Sequence, residues 1–347
     1  MNPVRVGARA PLRLGFAGGG TDVEPYASLY GGQILNATIN RYIYAYLERR
    51  DDGQVSFAAA DRGLHWTGPI ERLAEVPLDL QLHAAVYRRI VLQFLEDRPL
   101  AIKLSTIAEA PPGSGLGTSS TLVVSMVQAF TELLSLPLGE YEIAHLAYEI
   151  ERLDCGLNGG KQDQYAATFG GFNFMEFLAE DRVIVNPLRV RESFLCELEA
   201  SLVLYFGGVS RESARIIDDQ QQRILAQDPA ALAATHMVRK QAVHMKEAVL
   251  RGDIGAFADA LHQGWVAKRN MAEQVSNPAL DATYERARAA GALAGKVSGA
   301  GGGGFMIFVA EPERRLDVIG ALTETRGSVY PCSFTERGAT AWRCDRP

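Results

Sequence analysis

The sequence predicts an α+β protein of two domains. Strand-like and helix-like segments interleave along the whole chain, and their order follows no regular β-α alternation. The 347 residues, 47% of them hydrophobic, are also enough to bury more than one core. Residues 4–16, 33–48 and 100–107 carry the β-branched, aromatic and alternating residues of strands, as in Arg41-Tyr42-Ile43-Tyr44-Ala45-Tyr46. Residues 80–96 read as a helix because Leu82, Val86, Ile90 and Phe94 recur at four-residue steps. Two further helices are expected over 118–135 and 140–153, broken by Pro137 and Gly139. Short strands return over 172–188, and a domain boundary near Pro187 divides the chain into 1–187 and 188–347. After 198–205, long helices are expected from about 212 to 291. The last part reads strand (305–309), helix (312–324), strand (328–332).

A formal charge of −6 offers no broad basic field, which argues against nucleic acid or anionic membrane as a partner. Any anion must be held locally. The four cysteines, Cys155, Cys196, Cys332 and Cys344, form no C-x-x-C pair and suit a reducing cytoplasm. The first sixteen residues lack the apolar stretch of a signal peptide, and no segment approaches the roughly 20 apolar residues of a membrane span. Oligomeric state is left open, a homodimer being compatible.

Three glycine clusters and one acidic segment carry the chemistry. Residues 109–120, EAPPGSGLGTSS, place Gly113, Gly115 and Gly117 at alternate positions and run straight into an apolar helix. Backbone N–H groups and the positive helix end then converge on one point, which suits a phosphate; the plainer reading is a glycine-rich turn with a Thr/Ser cap. Residues 10–24, APLRLGFAGGGTDVE, deliver a strand into Gly18-Gly19-Gly20 and present Thr21 and Asp22, either to a ligand's hydroxyls or as a hairpin turn. Residues 296–308, KVSGAGGGGFMIF, formally match the dinucleotide fingerprint at Gly299, Gly301 and Gly304. The order is wrong for that fold, since a helical segment is expected before the glycines and a strand after them. Residues 149–171, EIERLDCGLNGGKQDQYAATFGG, supply Glu151 as a candidate metal ligand and Asp163 as a candidate base. Their plainer readings are a solvated helix residue paired with Arg152 and a helix N-cap. A P-loop, G-x-x-x-x-G-K-[ST], is absent, as are the H-R-D and D-F-G of protein kinases.

Segments 10–22, 111–120 and 296–304, in that order, resemble the signatures of the GHMP kinase superfamily. With GGQILNATINRYIYA and GGKQDQYAATFGGFN added, the whole chain is most similar to the D-glycero-D-manno-heptose 7-phosphate kinases. The resemblance implies a two-domain GHMP kinase fold, with a ribosomal S5 domain 2-like N-terminal part and a ferredoxin-like C-terminal part. It also implies ATP and Mg2+ as cofactors and transfer of phosphoryl to the anomeric hydroxyl of a sugar phosphate, for GDP-activated heptose of capsule or lipopolysaccharide.

Position by position, the resemblance assigns Pro112, Gly113, Ser114, Gly115, Leu116, Gly117, Thr118, Ser119 and Ser120 to the triphosphate. Ser119 and Glu151 would hold magnesium, Asp163 would be the catalytic aspartate, and Arg13 would offset charge near the nucleophile. Gly18, Gly19, Gly20, Thr21, Asp22, Gly301 and Gly302 would line the sugar site, with Lys161, Lys268 and Arg269 as candidates for its distal phosphate. Where galactokinase has Glu-His ahead of Thr-Asp this chain has Gly19-Gly20, which leaves room for a longer sugar.

Overall fold

The computed structural model describes residues 5–208 and 213–344; Val4 and residue 212, where a strand and a helix were expected to start, lie outside the described residues. One sheet holds β1 (Arg5–Ala17), β2 (Gly32–Arg49), β3 (Val55–Ala59), β4 (Leu64–Gly68), β5 (Ile102–Ala108), β6 (Phe172–Phe177) and β7 (Val183–Pro187). A second holds β8 (Leu202–Phe206), β9 (Ala292–Val297), β10 (Phe305–Ala310) and β11 (Ser328–Tyr330). The final strand, β12 (Thr340–Arg343), returns to the first sheet beside β1. The first sheet runs β12-β1-β2-β5-β3-β4, with β6 and then β7 added alongside β2. Pairing is antiparallel except between β3 and β5. The long β2 serves two neighbours in turn, β6 over Gly32–Ala37 and β5 over Ile43–Arg49.

The helices are α1 (Tyr26–Tyr30), α2 (Gln81–Phe94), α3 (Thr118–Leu134), α4 (Glu140–Tyr148), α5 (Gln162–Phe169), α6 (Glu192–Ser201), α7 (Ser213–Leu225), α8 (Pro229–Arg251), α9 (Ile254–Lys268), α10 (Pro278–Ala289) and α11 (Arg315–Thr323). Buried Val123, Val124, Met126, Val127 and Phe130 make α3 the central helix beneath β1 and β2. On α2 the buried face is His83, Val86, Tyr87 and Ile90, whereas Leu82 and Phe94 of the expected stripe are only half-buried. A second core joins β1 and β2 near their linking turn to β8, β10, α8 and α9 through Leu14, Phe16, Leu204, Met245, Phe257 and Ile307. That shared core brings the first and last glycine clusters together.

Two local expectations change. The helix expected over 140–153 narrows to α4 and then widens into a π-helical turn, Glu149–Asp154, a feature frequent at functional sites. Ahead of the last glycine cluster the helix α10 ends at Ala289 and β9 intervenes, so the order is strand, loop, strand. Among the described residues no helix is long and apolar enough to cross a membrane.

Candidate active site

All three glycine clusters and the acidic segment meet at one cleft of about 330 Å³. Strand β1 carries Arg13 into it, and the turn after β1 adds Gly19, Gly20 and Asp22. The loop before α3 contributes Gly113, Gly115 and Gly117, and the first turn of α3 contributes Thr118, Ser119 and Ser120. Helix geometry leaves the N–H groups of that first turn without intrahelical acceptors, so they are available to an anion. Gly113, Gly115 and Gly117 have φ of 73°, 81° and 77°, the left-handed region in which a side chain is strained.

The cost of consecutive glycines is explained by close packing between loops. A Cβ on Gly115 would stand 2.4 Å from the Ser298 carbonyl oxygen, and one on Gly304 would stand 2.4 Å from that of Ser114. Phe305 N–H donates to Ser114 O at 2.8 Å, and Ser298 Oγ donates to Gly115 O at 2.7 Å. Gly115→Ala is therefore expected to cost about 1–2 kcal/mol from backbone strain alone and to weaken binding of inorganic triphosphate, read by thermal melting and calorimetry. An unchanged melting temperature and affinity would refute the fit of the loops.

Arg13 and Asp163 form the ionic centre. Asp163 is the second residue of α5, and its carboxylate turns back to β1 rather than capping its own helix. Arg13 donates to Asp163 Oδ1 through Nε at 2.7 Å, with Nη2 at 2.6 Å, and to Gly115 O through Nη1 at 2.6 Å. A Cβ on Gly117 would lie 3.1 Å from Asp163 Cγ, so the carboxylate touches the phosphate-type loop.

Around this pair lie more buried charges than the sequence suggested. Asp22 accepts from Gln162 N–H at 3.0 Å and from Gly20 N–H at 3.3 Å; burial, with the nearby charge of Asp163, raises its carboxyl above the ordinary range. Lys268 donates to Gly299 O at 2.6 Å and to Gly19 O at 3.3 Å, and burial lowers its ammonium to about 8. Lys296 donates to Gly15 O at 2.6 Å, and burial beside Lys268 and Arg13 depresses it well below the usual lysine value.

Glu151 is 1% exposed and sits on the π-helical turn. Its Oε2 accepts from Ser120 Oγ and Gln164 Nε2, each at 2.6 Å, and its Oε1 faces Arg152 Nη1 at 3.2 Å. Beyond Ser119 a second cavity of about 220 Å³ adjoins the cleft, sharing Thr118, Ser119 and Leu157 with it. Ile43, Leu78, Leu82, Ala108, Pro112 and Leu122 give it a largely apolar wall.

Several expected contacts fall elsewhere. Thr21 is fully buried with its hydroxyl committed to the backbone: it donates to Gly18 O at 2.8 Å and accepts from Gln33 N–H at 3.0 Å, so it holds the turn. Gly18 packs on β2, where a Cβ would meet Gln33 O at 1.9 Å. Lys161 is bound by Asp181 and Glu24 and lies over the Tyr148 ring, outside the cleft wall. Arg269 pairs with Asp281 at 3.2 Å, away from the cleft. Gly301 and Gly302 pack on Val275, and the wall is made instead by Gly299 and Ala300. Within the loop, Ser114 and Leu116 are fully buried and support it from behind, while Pro112 faces the adjoining cavity. Lys296, Arg152, Asn158, Gln162 and Gln220 line the cleft without having been singled out. Lys296 heads the third glycine motif and Gln162 immediately precedes Asp163, which were the available signals; Gln220, on α7, had none.

Comparison with known proteins gives the family and the fold. Residues 84–171 match the model of the GHMP kinases N terminal domain, and residues 245–326 that of the GHMP kinases C terminal. The chain is 47% identical to D-glycero-alpha-D-manno-heptose 7-phosphate kinase from Campylobacter jejuni, over 96% of this chain and 98% of that protein. The crystal structure of a D-glycero-D-manno-heptose 1-phosphate kinase from Bacteroides thetaiotaomicron superposes with a TM-score of 0.82 at 45% identity, covering 98% of this chain and 100% of that one. Lactococcus lactis galactokinase complexed with galactose shares the fold, with a TM-score of 0.76 at 17% identity over 97% of this chain and 95% of that one.

Proposed function

Since the chain belongs to the GHMP kinase family, we propose that it is an ATP-dependent sugar kinase acting on the anomeric hydroxyl of D-glycero-D-manno-heptose 7-phosphate. The product would be the 1,7-bisphosphate, on the route to GDP-activated heptose for capsule or other surface polysaccharide. The observation that supports the reading is the contact between Asp163 and the glycine loop, because a proton acceptor there would stand beside a polyphosphate held by the loop. The four cysteines are unpaired, which suits the reducing cytoplasm where ATP is drawn.

The γ-phosphoryl group passes in line from ATP to the sugar O1, the bond to the β-phosphate oxygen breaks, and ADP leaves. Asp163 takes or orients the proton of the attacking hydroxyl, whose anomeric position makes it more acidic than an ordinary alcohol. Arg13 holds Asp163 in place and offsets charge that develops near it. N–H groups of the loop and of the first turn of α3 cradle the β- and γ-phosphates, and the adjoining apolar cavity fits the nucleoside. The hydroxyl of Ser119 and the carboxylate of Glu151 are hard oxygen donors suited to magnesium. With one or two protein ligands, such an ion would take its remaining positions from phosphates and water. When bound, that ion would neutralise phosphate charge.

Of the three cations proposed for the distal phosphate, Lys268 alone lines the cleft. Its ammonium is charged below about 8 and neutral above, so KM for the sugar phosphate should rise as pH passes through about 8. Lys268→Met should raise KM at pH 7 and flatten that rise. A wild-type KM independent of pH from 7 to 9 would remove Lys268 from the phosphate site. The substrate itself is tested by steady-state kinetics on hexoses, fucose, uronic acids, hexose 6-phosphates and heptose 7-phosphate. The highest kcat/KM is expected for the last, and a preference for an unphosphorylated sugar would overturn the assignment.

A further inference from the structure

Arg152 lines the cleft, yet no step above uses it. It follows Glu151 on the π-helical turn, and its side chain is 13% exposed. Toward the nucleotide end, Nη1 pairs with Glu151 Oε1 at 3.2 Å and Nη2 donates to Ser120 Oγ at 3.4 Å. At the border with the second cavity, Nη1 donates to the Leu157 carbonyl at 3.3 Å. Toward Asp22, Nη1 donates to the Asn158 carbonyl at 3.5 Å and Nε to that of Gly160 at 3.3 Å. Gly159 lies against the guanidinium, where a Cβ would stand 2.5 Å from Cζ. Gly160 in turn abuts Asp22, where a Cβ would stand 1.9 Å from Oδ2. Gln162, two residues on, donates its N–H to that same oxygen at 3.0 Å. A single planar group thus joins the carboxylate and hydroxyl at one end of the cleft to the loop that backs Asp22 and leads into Asp163.

We propose that Arg152 is a positioning residue that couples the two ends of the cleft, so that a bound nucleotide raises the affinity for the sugar phosphate. The proposal rests on the kinase reading above. A guanidinium has five N–H donors in a fixed fork, and here Glu151, Ser120 and three carbonyls compete for them. Nucleotide binding draws on the same Glu151 carboxylate and Ser120 hydroxyl. Donors released from that end turn to the carbonyls of Asn158 and Gly160 and tighten the loop that backs Asp22. By linkage, sugar phosphate must raise nucleotide affinity by the same factor.

The test is calorimetric titration of the full chain with heptose 7-phosphate, with and without magnesium and a non-hydrolysable ATP analogue. The analogue should tighten sugar binding about fivefold or more in the wild type. In Arg152→Gln the two affinities should converge, and Arg152→Lys, which keeps the charge but not the fork, should recover only part of the difference. Gly159→Ala keeps Arg152 but presses a methyl against Cζ, and it should lose the coupling as well, so the test survives if Arg152→Gln fails to fold. A merely structural role would weaken both titrations alike and leave their ratio intact; that result, or a wild type that binds both ligands independently, overturns the proposal. Absence of binding by either ligand to the wild type would instead overturn the kinase reading, and the coupling with it.

Discussion

Asp163→Asn is expected to lower kcat by about a thousandfold while leaving nucleotide affinity within about threefold, because proton transfer by a positioned side chain contributes roughly 10²–10⁴. Asparagine matches aspartate in size, and its carbonyl can still accept from Arg13, so the wall of the cleft should stand. What it cannot do is take the proton of the sugar hydroxyl. The separation of the two effects is informative, since Asp163 also lies against Gly117 of the phosphate-type loop. A general loosening of the loop would weaken nucleotide binding and turnover together. Stopped-assay kinetics and titration of an ATP analogue read the two quantities, and turnover within tenfold of wild type would remove Asp163 from the role of base.

Arg13→Met is the second large effect. The Arg13 side chain is 4% exposed and that of Asp163 19%, so removing the guanidinium leaves a largely buried carboxylate without its partner. Breaking such a pair from one side destabilises by about 3–5 kcal/mol. The same change also withdraws the donor to Gly115 O and hence support for the loop. Turnover should fall by about 10²–10³, as for loss of one electrostatic donor to the transition state. Arg13→Lys should recover stability better than turnover, because an ammonium restores the charge but not the fork that reaches Asp163 and Gly115 together. The double variant with Asp163→Asn should be less damaged than the sum of the singles, since each removes one charge of the same ion pair. Strict additivity, measured by denaturant melts and kcat, would argue that the pair is incidental.

Much of the fold was legible because its longest elements have strong local patterns. The alternation in residues 41–46 runs into the part of β2 that meets β5 from Ile43 on, and the apolar run after Ser120 supplies Val123 and Val124 to the buried face of α3. The hairpin of β3 and β4 was not legible, since five-residue strands flanked by polar residues carry little periodicity. The strand β9 was hidden for a different reason: its sequence, ALAGKV, is rich in residues that favour no strand, and it is held by pairing with β10.

In the site, the glycine loops were readable because close backbone approach leaves few alternatives to glycine. Gly115 and Gly304 each face a carbonyl 2.4 Å from where a Cβ would be. Side-chain direction was not readable. Lys268 and Arg269 are neighbours in sequence, yet one reaches into the cleft and the other pairs with Asp281, a difference set by the helix face at the end of α9. Lys161 looked suitable beside Asp163, but Glu24 and Asp181, distant along the chain, engage it first.

The most direct test of the central claim is to incubate the protein with ATP, magnesium and D-glycero-D-manno-heptose 7-phosphate and follow the sugar by phosphorus NMR. The account predicts ADP released mole for mole with a second phosphate signal coupled to the anomeric proton. No sugar-dependent ADP, or a new phosphate coupled to a proton at any other carbon, would contradict it.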